Sequence, residues 1–154
     1  MMRTFVLLFA FATITACATP AAAQDAPDPV ATCLANAAEP EDRRACIGEV
    51  SAQCIDEPGG ETTSDMVNCF ARERDLWSTQ VATLTERLRA RESPTQLRQL
   101  DAMLAAHETW MQQKCSYSAS IFEGGSLARA IAAACLRTTT AELALDLLER
   151  FDQG

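Results

Sequence analysis

MQQKCSYSASIFEGGSLARAIAAAC, residues 111–135, decides the fold. At its centre Gly124-Gly125 stops one helix, and Ser126 is placed to cap the next. Cys115 lies nine residues before Gly124, and Cys135 lies ten after Gly125. With a rise of about 1.5 Å per helical residue, the two cysteines of an antiparallel hairpin sit at nearly the same height. Equal height is the precondition for a disulfide, whose Cα atoms lie about 4.4–6.8 Å apart. The stretch therefore reads as two antiparallel helices stapled across a glycine turn.

The same reading extends upstream. Leu97, Leu100, Leu104, His107, Met111 and Cys115 recur at spacings of three and four, as one face of a helix. That helix opens at Ser93-Pro94, with Ser as N-cap and Pro at the first helical position. Before it, Met66, Phe70, Trp77, Val81, Leu84 and Leu88 fall on a stripe at spacings of three, four and seven. Thr62 with Asp65 marks the start of this helix as a capping-box variant. Arg87, Arg89 and Arg91 suit the negative end of its dipole. Downstream, Leu127, Ile131, Cys135, Leu145 and Leu148 carry the last helix, whose weak point is the β-branched run Thr138-Thr139-Thr140. Towards the N-terminus a short helix is expected from about Pro29 to Ala38, and a second from about Glu41 to Asp56. Pro40 separates them, and Pro58-Gly59-Gly60 ends the second. No segment alternates apolar and polar residues long enough for a sheet. The predicted class is all-α: an antiparallel, disulfide-stapled bundle of three long helices plus a short N-terminal helical hairpin.

Residues 1–23 read as a cleaved export signal. Met1-Met2-Arg3 is a short positive start, Thr4 to Ala16 is uncharged and apolar, and Ala21-Ala22-Ala23 supplies small residues for cleavage. The apolar run is shorter than the roughly 20 residues of a membrane-spanning helix. Ile14-Thr15-Ala16-Cys17 offers an alternative, a lipobox whose Cys17 is lipidated and anchors the chain. The expected organisation is a signal peptide at 1–23, a helical hairpin at 24–57 and a three-helix domain at 58–154. The product is periplasmic or secreted, or membrane-anchored through Cys17.

Either route takes Cys17 out of the thiol count and leaves six of the seven cysteines. An even number in an exported chain reads as disulfides. Each sequential pair straddles one turn, so the simplest connectivity is Cys33–Cys46, Cys54–Cys69 and Cys115–Cys135. Cys46 and Cys54 lie eight residues apart on one expected helix, share a face, and are able to exchange partners. No C-x-x-C pair and a single histidine argue against zinc. No cofactor is implied.

One order of features resembles a known family. It runs from Thr62, Asp65-Met66 and Cys69 through a long polar helix to an aromatic shortly before Cys115. Gly124-Gly125-Ser126, Cys135-Leu136, Thr138 and a leucine-rich end follow. This resembles the LprI-type lysozyme-inhibitor family of small exported bacterial proteins over roughly Cys54 to Phe151. The chain departs from the family at Val81-Ala82, where Leu-Asn is usual, and at Ala106 to Gln112. Aligned on Cys115, Trp110 falls on the family's second aromatic and His107 on its tryptophan. The resemblance implies a non-catalytic inhibitor that occludes a basic protein such as lysozyme. The alternative is a structural or envelope-interaction protein without inhibitory activity.

Charge agrees with such a partner. The chain has 13 Lys+Arg against 21 Asp+Glu, a net −8, which excludes a nucleic-acid binder. Removing residues 1–23 takes Arg3 and no acid, leaving 12 against 21 and a net −9. No nucleophile elbow, phosphate loop or metal-binding helix motif occurs. His107 reads as structural, Glu73, Asp75 and Glu108 as solvated helix charges, and Trp77 and Trp110 as core or its margin. In an up-down-up core the first and third long helices begin at one end. That end collects Asp56, Glu57, Glu61, Asp65 and Glu123 on glycine-rich turns, a candidate contact surface for a basic partner. Oligomeric state is not legible.

Overall fold

The computed structural model describes residues 27–154. The signal segment, the alternative lipidation site Cys17 and the expected cleavage after Ala23 lie outside the described residues. Six helices follow one another: α1 (Pro29–Asn36), α2 (Pro40–Ala45), α3 (Glu49–Asp56), α4 (Thr63–Arg89), α5 (Pro94–Ser120) and α6 (Ser126–Asp152). Among the described residues there is no strand, and no helix is long and apolar enough to cross a membrane. The fold is all-α, with three disulfides among the described residues.

Local chemistry sets the helix starts. Asp28 caps α1 by accepting from the backbone N–H groups of Val30 and Ala31. Thr62 caps α4 by accepting from the Asp65 N–H, and its hydroxyl donates to the Asp65 carboxylate. Ser93 and Gln96 form a reciprocal capping box at α5, with Pro94 in its first turn. At α6 the cap is Gly125, and Ser126, expected to be the cap, is already helical.

The single helix expected from Glu41 to Asp56 is two helices. Gly48, at φ 103°, breaks it and starts α3. A Cβ at Gly48 would stand 2.8 Å from Arg137 Nη1, so both the backbone angle and the close approach require glycine. α6 is continuous through the threonine run. Thr139 and Thr140 are buried, and the Thr140 hydroxyl donates to the Leu136 carbonyl one turn back at 2.9 Å.

The three long helices have 27 residues each, about 40 Å of helix. They run up, down and up. α6 lies parallel to α4, which brings Arg137 to Glu73 and packs Leu143 and Leu147 against Leu84 and Leu88. It lies antiparallel to α5, joined by Cys115–Cys135 with Cα atoms 5.4 Å apart. Cys33–Cys46 and Cys54–Cys69 span 5.9 and 5.6 Å and staple α1 to the α2–α3 turn and α3 to α4. α1 and α3 pack on α4, and α2 on α6.

Two apolar clusters make the core. One gathers Val30, Cys46, Trp77, Ala141 and Ala144 where the N-terminal helices meet α4 and α6. The other gathers Leu84, Leu88, Leu100, Leu143 and Leu147 towards the α4–α5 turn. The stripe expected on α6 is displaced. Leu127 is 48% exposed, and the buried positions include Ala128, Ala130, Thr139, Ala141, Ala144 and Leu147. α6 has α4 on one side and α5 on another, so burial follows two contact lines, and small residues allow the close approach.

Candidate functional site

The most elaborate polar arrangement surrounds Glu73. This residue is completely buried, which corrects its reading as a solvated helix charge. Its carboxylate accepts from the Gly48 N–H at 2.7 Å, the Ser51 N–H at 2.7 Å and Trp77 Nε1 at 3.0 Å. Arg137 Nη1 lies 3.6 Å away, and its guanidinium also faces the Phe70 ring. Burial pushes the Glu73 carboxyl up, but donors from Ser51, Gly48 and Trp77 outweigh it and hold the group below its ordinary range. The Gly48, Ser51 and Trp77 N–H groups all donate to this one carboxylate, so the arrangement ties α3 and the Gly48 turn to α4, with Arg137 linking it to α6.

A cleft opens between α4 and α5. Near their turn Arg89 pairs with Asp101 at 2.7 Å, and beyond it α4 and α5 pack on α6 more than on each other. The resulting space, about 470 Å³, is floored by Val81, Leu104, Met111, Leu136 and Leu143. Arg74, Asp75, Ser78, His107, Glu108 and Gln112 form its rim. On the rim Arg74 pairs with Asp75 at 3.2 Å, and Gln112 donates to Glu108 at 3.1 Å. His107 is half-buried on this rim, 5.6 Å from the Trp110 ring. Sequence reading did not anticipate the cleft, because a regular stripe on each helix carries no signal of which neighbour it packs on.

The five acids of the candidate contact surface are distributed along one end. α4 and α6 are parallel, so their N-termini share that end. Glu57 and Asp65 line a shallow depression of about 210 Å³ with Pro58, Gly59, Gly60 and Asn68. Asp56 ends α3 and Glu61 precedes α4, both exposed. Glu123 stands apart from the depression, in the α5–α6 turn, where it adopts φ 51°. Asp56, Glu57, Glu61 and Glu123 are exposed, and none of the five forms an ion pair among the described residues. Their field is therefore directed to solvent. Gly60 holds the depression tight, since a Cβ there would meet the carbonyl oxygens of Cys54 and Ile55 at 2.5 Å.

The two tryptophans have opposite surroundings. Trp77 is wholly buried beside Glu73, whereas Trp110 is 49% exposed with Lys114 Nζ 4.7 Å from its ring centroid. No group of His, Cys, Asp and Glu among the described residues is arranged to hold a metal ion.

Comparison with known proteins adds one finding. The family model described as "Lysozyme inhibitor LprI" matches residues 54–147. No curated protein and no solved structure matches the chain.

Proposed function

Because the chain belongs to the LprI family of lysozyme inhibitors, we propose that it is an exported binding protein that occludes a basic, lysozyme-type partner without chemistry of its own. The family match over residues 54–147 carries this reading. Three disulfides suit an oxidising compartment outside the cytoplasm. A net charge of −8 opposes that of a basic partner. The contact surface is the acidic end formed by Asp56, Glu57, Glu61, Asp65 and Glu123. Exposed charges of this kind raise the rate of encounter and choose among partners more than they strengthen the final complex.

The test is a bacterial-wall lysis assay with a basic lysozyme, paired with binding kinetics at several salt concentrations. Inhibition is expected, with association slowing as the screening length falls from about 10 Å at 0.1 M salt to about 3 Å at 1 M. Replacing Glu57, Glu61 and Glu123 by Gln is expected to slow association more than it speeds dissociation. Glu86→Gln with Glu149→Gln, both exposed at the opposite end, is the control, compared per charge removed. Equal loss in both sets reduces the effect to net charge and removes the localised surface. No binding at any salt concentration overturns the inhibitor reading and leaves an envelope-interaction protein of the same fold.

A further inference from the structure

The large apolar side chains left exposed among the described residues are Met103, Trp110, Tyr117, Ile121 and Leu127. Met103, Trp110 and Tyr117 lie on α5, Ile121 is its C-cap residue, and Leu127 follows across the turn at the start of α6. Met103, Trp110 and Tyr117 are seven residues apart, and Ile121 is one turn beyond Tyr117. Seven residues return a helix to within about 20° of the same direction, so these four form one continuous stripe. The stripe is distinct from the α5 face that buries Leu100, Met111, Cys115 and Ala119. The N-terminal helices do not cover it, since they pack on α4 and α6.

The stripe carries a single charge, Lys114. Between Met103 and Ile121 the charged residues are Glu108 and Lys114. Glu108 faces the α4 cleft, and Lys114 turns to Glu142 of α6 at 3.8 Å while covering part of the Trp110 ring. On an acidic chain, a surface holding Trp, Tyr, Met and Ile, whose one charge already faces Glu142, has the composition of an interface centre.

We infer that this face is where a second copy of the chain docks, α5 against α5, antiparallel about a twofold axis at Trp110. The spacing is self-complementary: with Trp110 on the axis, Met103 of one copy meets Tyr117 of the other, and the reverse. Such isologous pairing is the commonest symmetry of soluble oligomers. Trp110 and Tyr117 are 49% and 81% exposed. From aromatic areas of about 150–250 Å², they leave roughly 200–300 Å² open per copy. Adding Met103 and Ile121 and doubling gives on the order of 1,000 Å², the threshold for a specific interface. Charge sets a distinguishing sign. Two acidic copies repel, so salt tightens their association. Contact with a basic partner responds to salt in the opposite direction.

The experiment is sedimentation equilibrium of the natively processed, oxidised protein over a range of concentrations, at low and at high salt. A monomer–dimer equilibrium that tightens with salt is expected. Tyr117→Glu and Ile121→Glu each weaken it by about tenfold or more, with unchanged helical content because both side chains stand in solvent. Ala82→Glu, on an exposed position of α4, leaves it unaltered. A monomer at every concentration and salt overturns the inference, as does a dimer indifferent to Tyr117→Glu. If the protein is monomeric and Tyr117→Glu abolishes lysozyme binding, the face belongs to that partner and a second copy is excluded. Loss of the acidic-end effect alone leaves the dimer standing.

Discussion

Replacing Glu73 by Ala removes the acceptor on which three N–H donors and one guanidinium converge. The Ser51 N–H and the Trp77 indole are buried with no route to water, and Arg137 is only 13% exposed. Breaking a buried ion pair by deleting one partner costs about 3–5 kcal/mol, and Glu73→Ala is expected in that range. Glu73→Gln keeps the shape and one acceptor oxygen but sets an NH₂ group against a backbone N–H. The loss of one charge-assisted bond, about 1.5–3 kcal/mol, is expected there. Urea denaturation without reductant, followed by tryptophan fluorescence, measures both. The pH dependence is the sharper check. The native carboxyl is held below its ordinary 4.5, so its contribution is complete above that value and is lost as pH falls through the native pKa. The other carboxylates titrate alike in both proteins and cancel in the difference. The gap between wild type and Glu73→Gln is therefore constant at neutral pH and closes in acid. A Gln variant as stable as wild type at pH 7, or a gap that persists unchanged into strong acid, refutes the reasoning.

Three further outcomes are expected. Replacing Cys115 and Cys135 together by Ala is expected to cost about 3 kcal/mol, because the bridge closes a loop of 20 residues; an unchanged denaturation midpoint counts against it. Gly48→Ala is expected to cost about 1–3 kcal/mol, more than Gly59→Ala. Both have positive φ, but a Cβ at Gly59 meets open space; thermal melts of the two variants compare them. Trp77→Ala is expected to cost about 3–5 kcal/mol and Trp110→Ala within about 0.5 kcal/mol, read from the same denaturation curves by circular dichroism.

The long helices were legible because their signals are local: a glycine pair, a serine–proline entry, leucines at helical spacing. What escaped depends on partners distant in sequence. The α4 stripe contains a seven-residue gap between Phe70 and Trp77, and Glu73 fills it in phase. The gap is the visible sign of a buried acid, but its donors come from Gly48 and Ser51 on another element and Arg137 on a third. Gly48 looks like an ordinary mid-helix glycine until the approach of Arg137 gives it a role. The α6 stripe was misplaced because a helix with two neighbours has no single period of burial. Among the candidate site residues, the shared end followed from topology. The separation of Glu123 from the depression at Glu57 and Asp65 did not, because it is set by the α5–α6 turn.

The order of the bridges bears on how the chain matures. Cys33 joins Cys46, Cys54 joins Cys69 and Cys115 joins Cys135, so no bridge encloses or crosses another. Each cysteine's mate is the next described one to emerge from a ribosome or a translocation pore. An oxidant that couples thiols in order of appearance thus makes only native bonds. For such an oxidant the order of emergence is itself the connectivity, and the native pairs form without a shuffling step.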